Sequence, residues 1–209
     1  MNEIFNEDYN TTLSKLSNVR IVITSPPDSE EIGLKPSDDE YHRFLKDFCA
    51  NITKASSLVC VIITDRKSNG IMSKHSDIIL NFKENGFRLL THKIWKKSDK
   101  INLFRLTYSH IMVFTNDKVK QKHEKDYELD IWESPHEKYK GYANTFPLEI
   151  IRRIIRNFTN SGDLVYDPFI GSGTTAIASI MEDRSYIGSE LDKHIYGMCM
   201  ERLSEYENQ

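Results

Sequence analysis

The chain has 209 residues, 39% of them hydrophobic and 28% charged, with a formal net charge of −3 at pH 7. That length suits one domain with a three-layer core, and the balance excludes a disordered or membrane-embedded class. So mild a charge neither demands nor forbids a nucleic-acid partner. No apolar run approaches a membrane span and Met1-Asn2-Glu3 lacks the basic start of a signal peptide, so an intracellular protein without membrane attachment is expected. Cys49, Cys60 and Cys199 are scattered, and the seven histidines show no ligand spacing. Neither a disulfide framework nor a metal is expected, and a reducing compartment fits.

In chain order, residues 3–8 read as a short strand ending in acids, with Asp8 placed to cap a helix from Tyr9 to Leu16. Val19 to Thr24 is a strand, and Ser25-Pro26-Pro27-Asp28 follows at its C-terminal edge, where ligands bind in open α/β sheets. Two consecutive prolines fix φ and supply no N–H, which leaves the local carbonyls in a rigid array. Asp39 to Cys49 predicts an amphipathic helix with Tyr41, Phe44, Leu45 and Phe48 on one face. Ser57 to Thr64 is an unbroken apolar run, as a central parallel strand requires, and Asp65 at its tip either lines a site or makes a turn. Ser76 to Asn85 predicts a helix stopped by Gly86. Phe87 to Trp95 and Ser109 to Thr115 read as the last strands, an antiparallel pair at the sheet edge.

Around that pair the charge turns basic: Lys93, Lys96, Lys97, Lys100 and Arg105, then Lys118, Lys120, Lys122 and Lys125. With Trp95, Tyr108 and Trp132 interleaved, this is either a surface for a phosphate backbone or a solvated face diluted by Asp99, Asp117, Glu124 and Asp126. Leu148 to Phe158 is a helix with a buried isoleucine stripe; Thr145 falls in its N-cap region and Pro147 near N1.

The stretch Asp167-Pro168-Phe169-Ile170-Gly171-Ser172-Gly173-Thr174-Thr175 lies between a short strand, Leu164-Val165-Tyr166, and a helix opening at Ala176. Strand, glycine turn and helix in that order make a ligand cradle, because glycine admits close approach and the new helix offers unpaired N–H groups. A second strand, Ser185 to Ser189, ends at Glu190, whose carboxylate is placed for the two hydroxyls of a ribose. Gly171 to Ala176 formally fits a dinucleotide fingerprint, so NAD is open on this segment alone. No Gly-Lys-Ser/Thr follows, which removes a phosphate-binding P-loop. Asp167 at the strand tip repels a pyrophosphate and suits an ammonium or sulfonium group, which favours S-adenosylmethionine.

Asp167 to Thr175 resembles the cofactor motif of amino-methylating DNA methyltransferases, and Thr24-Ser25-Pro26-Pro27 resembles their catalytic motif. With the catalytic motif first, the order is that of the circularly permuted β class, and the resemblance runs from about Ile4 to Leu203. It implies a three-layer α/β/α Rossmann-like fold around a mostly parallel seven-stranded sheet with an antiparallel edge. Residues 1–209 would form one domain, with about 116–144 as a reduced target-recognition insert. The implied partner is DNA, and the implied reaction moves a methyl group from S-adenosylmethionine to the exocyclic amine of a base, as in restriction–modification systems. Ser25, where adenine enzymes commonly carry Asp or Asn, favours N4 of cytosine; N6 of adenine stays open, as does RNA as the substrate.

By the same resemblance Asp8, Tyr9, Thr24, Thr145, Phe146, Pro147, Asp167, Pro168, Phe169, Gly171, Ser172, Gly173, Thr174 and Glu190 would hold the cofactor. The helix start after Pro147 would take its methionyl carboxylate. Ser25, Pro26, Pro27 and Asp28 would handle the amine, Ser25 and the Pro26 carbonyl accepting its hydrogens. Asp28 is a departure, because the family places there an aromatic ring that stacks on the flipped base. Stacking would then come from Tyr41, Tyr142 or Trp132, or Asp28 would itself accept an amine hydrogen. The other reading is a non-catalytic subunit that binds DNA or a partner. A short insert also implies that target choice is loose or supplied by a second copy or a partner subunit.

Overall fold

The computed structural model describes residues 2–34, 39–67, 70–98, 106–117, 129–135 and 137–208. The elements are β1 (Asn2–Phe5), α1 (Tyr9–Leu13), β2 (Val19–Thr24), a 3-10 turn (Ser29–Ile32), α2 (Asp39–Ile52), β3 (Leu58–Ile63), β4 (Arg66–Lys67) and β5 (Ile71–Met72). They continue with α3 (Lys74–Glu84), β6 (Arg88–Lys96), β7 (Tyr108–Thr115), β8 (Ile131–Glu133), β9 (Glu137–Tyr139), β10 (Tyr142–Thr145) and α4 (Leu148–Phe158). The last are β11 (Leu164–Asp167), α5 (Thr174–Met181), β12 (Ser185–Ser189) and α6 (Lys193–Glu207). None of the described helices is long and apolar enough to cross a membrane.

Among the described residues the main sheet has eight strands in the order β1-β12-β11-β2-β3-β7-β6-β8. Only β7 runs against its neighbours, β3 and β6; the other pairings are parallel. The strand beyond the expected seven is β8, which pairs with the end of β6 from Ile94↔Ile131 to Lys96↔Glu133 and so covers the edge.

Alternation along each strand feeds both faces. On β2, Ile21 and Ile23 pack with Ile150, Ile151, Ile154, Ile155 and Phe158 of α4, while Val22 joins Tyr41, Leu45 and Phe48 of α2 and Ile78 and Phe82 of α3. Each of these isoleucines contributes about 1.5–3 kcal/mol by leaving water. With helices on both sides, every residue of β3 is buried, which is why its sequence does not alternate.

From β2 the chain crosses through α2 to β3 on one side; from β11 it crosses through α5 to β12 on the other. The winding therefore reverses between β11 and β2, which lie side by side in parallel. A crevice opens above the C-terminal ends of two strands at such a switch point. The proline loop and the glycine loop both begin there.

Candidate active site

Asp167 ends β11 with only 5% of its surface exposed. Its Oδ2 accepts from Thr175 Oγ1 at 2.6 Å and its Oδ1 from the Phe169 N–H at 3.1 Å. Burial pushes this carboxyl up to about 6, against the pull of those donors and of the nearby Thr24 hydroxyl. Thr24 Oγ1 is buried and stops short of hydrogen-bond geometry with any partner, so a polar atom at the end of β2 stands unsatisfied beside the acid of β11. The two strand tips meet.

The glycine loop between them is held by packing as well as by dihedral. Gly173 has φ of 83°, and a Cβ there would lie 2.8 Å from Cys199 Sγ of α6. On β12, a Cβ at Gly188 would fall 2.2 Å from Ile170 Cδ1, so that glycine is the seat for the loop's isoleucine. Glu190 ties the two strand ends together: its Oε2 accepts from the Gly171 N–H at 3.1 Å and its Oε1 from the Asp192 N–H at 3.0 Å. Burial raises its pKa while these backbone donors oppose the rise. Four lone-pair sites on the carboxylate leave capacity for further donors.

Phe169 packs its ring against Tyr9 at 5.1 Å, Phe48 at 5.6 Å and Phe44 at 6.4 Å between centroids, and Pro168 before it is buried. Asp8 caps α1 by accepting from the Asn10 N–H at 2.8 Å. It also lines an open groove of about 460 Å³ with Tyr9, Asn10, Arg43, Phe44 and Asn51. Capping and groove-lining hold together for this acid.

The start of α4 falls where the sequence puts it, with different partners. Pro147 is the N-cap, next to N1, and Thr145 ends β10, where its hydroxyl meets Ser172 Oγ at 3.2 Å. The Leu148 N–H, expected to await a ligand carboxylate, donates to Glu137 Oε1 at 3.1 Å; a second carboxylate would meet a like charge. Phe146 turns to the core, 5.5 Å from the Trp95 ring. The side chains of Ser172 and Thr174 are likewise engaged within the protein. Arg202 Nη1 of α6 donates to Ser172 O at 3.2 Å, Ser172 Oγ at 3.1 Å and Thr174 Oγ1 at 2.9 Å. Sequence reasoning missed Arg202, because nothing local links a surface-helix arginine to a loop 28 residues earlier.

Ser25 is half-buried, Pro26 is buried, and the Pro27 carbonyl accepts from Tyr41 Oη at 3.3 Å. Asp28 begins the 3-10 turn; its N–H donates to Glu31 Oε2 at 2.7 Å. Its carboxylate pairs with the ammonium of Lys74, a nearly fully buried lysine at the start of α3. Glu30 pairs with Arg66 in the same way. Asp28 is therefore the counter-ion of a buried cation, and an aromatic ring there would remove the carboxylate that Lys74 touches.

Of the residues expected to replace that ring, Tyr41 and Trp132 are 1% exposed and cannot stack on a base from outside. Tyr142 is half-buried with its hydroxyl against Gly171. Part of the basic stretch is described. Trp95 is buried, Lys93 pairs with Asp130, Lys96 with Glu133, and Lys97 bonds Thr64 Oγ1. Lys100, Arg105, Lys118, Lys120, Lys122 and Lys125 lie outside the described residues, as does much of the 116–144 insert.

A doubly wound sheet whose reversal point joins a glycine cradle to a proline loop defines a nucleoside-binding α/β protein. Residues 19–201 match the family of N6/N4-type DNA methylases, and the chain belongs to that family. It is 34% identical over 184 residues to the type II methyltransferase M.MjaI of Methanocaldococcus jannaschii, covering 70% of this chain and 61% of that one. It is 33% identical over 143 residues to M2.MboI of Moraxella bovis, covering 59% and 52%. The chain thus spans between half and two thirds of these two curated relatives. In fold it is similar to a putative DNA modification methylase of Thermus thermophilus, with TM-score 0.80 and 23% identity over 99% of this chain and 96% of that one. The PvuII DNA methyltransferase, described as cytosine-N4-specific, superposes with TM-score 0.82 at 16% identity over 100% and 92%. At these identities the two structures speak for the fold alone.

Proposed function

We propose that the chain is an S-adenosylmethionine-dependent DNA methyltransferase acting on the exocyclic amine of a base, with N4 of cytosine as the target. One observation carries the reading: the tips of β2 and β11 adjoin, so that the loop opening at Ser25 and the loop opening after Asp167 begin side by side.

The residues present fit this cofactor. Asp167 is a buried carboxyl with no cation beside it among the described residues, and Thr24 Oγ1 next to it stops short of a well-formed hydrogen bond; a ligand with ammonium and sulfonium groups answers the first and a polar one the second. Glu190 retains acceptor capacity for ribose hydroxyls, and Phe169 and Tyr9 offer apolar rings next to the Asp8 groove. Ser172, Thr174 and Phe146 support the cradle from behind, and Thr145 braces Ser172. When bound, the cofactor supplies an electrophilic methyl group.

What the chain itself must do is present the amine. An aromatic amine nitrogen delocalises its lone pair into the ring and is a poor nucleophile. Acceptors at Ser25 and the Pro26 carbonyl take the NH₂ hydrogens, draw the nitrogen toward a tetrahedral shape and aim its lone pair. Positioning then supplies most of the rate. The prolines keep these acceptors rigid, and the Asp28–Lys74 and Glu30–Arg66 pairs and the Tyr41 hydroxyl anchor the segment that follows. The target base must leave its stack to reach the crevice. Ser25 in place of Asp or Asn supports cytosine over adenine.

Incubation with methyl-labelled cofactor and duplex DNA, with RNA in parallel, tests the reading. Label is expected in DNA. Saturable cofactor binding without label in either polymer would instead support a non-catalytic subunit, and label in RNA alone would move the substrate class.

A further inference from the structure

Asp65, just past the tip of β3, faces two histidines brought from distant parts of the chain. His75 in the first turn of α3 places Nδ1 2.6 Å from Asp65 Oδ2, and His110 on β7 places Nε2 3.5 Å from the same oxygen. The three candidate ligand atoms lie within 4.8 Å of one another. Asp65 and His110 are 5% and 6% exposed, and the His75 and His110 rings stack with centroids 4.0 Å apart. His110 Nε2 is buried and makes no hydrogen bond, although it points toward Asp65.

We propose that Asp65, His75 and His110 form a binding site for a divalent transition-metal ion, zinc being the first choice. His110 Nε2 lies buried at the centre of the cluster, and its one polar neighbour there, Asp65 Oδ2, is at the loose distance of 3.5 Å. The outward atoms, by contrast, are already held. Asp65 Oδ1 accepts from the His75 N–H at 3.1 Å, His110 Nδ1 faces His92 Nε2 at 2.9 Å, and His75 Nε2 faces Ser76 Oγ at 3.4 Å. Such outer bonds fix tautomer and ring direction, and metal ligands characteristically carry them.

The separations suit the ion as well. Ligands about 2.0–2.2 Å from a tetrahedral zinc sit roughly 3.2–3.6 Å apart. The His110–Asp65 distance already meets this, the His75–Asp65 contact needs to open by less than about 1 Å, and the stacked His75 and His110 rings, 15° apart in plane, must turn toward each other's edge for both nitrogens to face one ion. Two imidazoles and one carboxylate select zinc or a neighbouring transition metal over calcium or magnesium, which want oxygen. An ion here would pin the first turn of α3 to β3 and β7. Lys74, the residue before His75, grips Asp28 at the end of the proline loop, so the ion would also steady that loop.

The full chain, dialysed against a chelator and titrated with Zn²⁺ and separately with Co²⁺, tests the site. One ion per chain is expected, with visible Co²⁺ absorption bands and a thermal midpoint that rises with zinc. Asp65→Asn and His110→Gln should each weaken binding about 100-fold and His92→Gln about 10-fold, while His42→Gln, at an exposed pair with Asp77, leaves it unchanged. Absence of stoichiometric binding to the unaltered chain would overturn the proposal whether or not the variants fold. So would binding that survives Asp65→Asn and His110→Gln.

Discussion

Asp167 shows how one buried group can link folding to ligand binding. Folding raises its pKa from an ordinary value near 3.8 to about 6, chiefly through burial, so the folded chain prefers the protonated acid. Its stabilising contribution is fully present below about pH 4 and is lost as pH rises through about 6, a change of at most about 3 kcal/mol. Denaturant titrations of the free protein should show that decline, and Asp167→Asn should flatten it. The ionised form attracts a cation, so affinity for S-adenosylmethionine should rise over the same interval. At Ser25 the expected effect lies in turnover. Ser25→Ala removes an acceptor that acts on the amine alone, so methyl transfer should fall about 10- to 100-fold while cofactor affinity stays within about twofold. Equal loss of both would argue against its role.

Between elements, α6 holds the glycine loop through Arg202, which reaches Ser172 and Thr174 from outside the motif. Arg202→Ala should lower stability by about 1–3 kcal/mol and weaken cofactor binding, as read by denaturation and by calorimetric titration. Arg202→Lys should not restore either, since an ammonium lacks the planar fork. The contrast with what the sequence revealed is physical. β11, the glycine turn and α5 are contiguous, so a strand pattern, a glycine spacing and a helix signal all fall in one stretch. The α4 stripe was legible for the same reason. β8 was not, because three residues carry no period. Lys74 meets Asp28 across 46 positions, and Asp65 meets His75 and His110 only after β3, α3 and β7 have packed. Pairings of that kind leave no mark in local spacing.

At the scale of the molecule, the permuted order of motifs is immaterial once the sheet forms, because β2 and β11 end side by side whichever comes first in the chain. The fold thus brings the proline loop to a buried acid, and helices pack on both faces of the sheet. On β6, Lys93 pairs with Asp130 and Lys96 with Glu133, so these two lysines carry acidic partners of their own. The most direct measurement is mass analysis of nucleosides from mixed-sequence duplex DNA incubated with the chain and methyl-labelled S-adenosylmethionine. Labelled N4-methyldeoxycytidine is expected, reduced by Ser25→Ala. Labelled N6-methyldeoxyadenosine would overturn the choice of base, and no labelled nucleoside from a chain that binds the cofactor tightly would contradict methyl transfer itself.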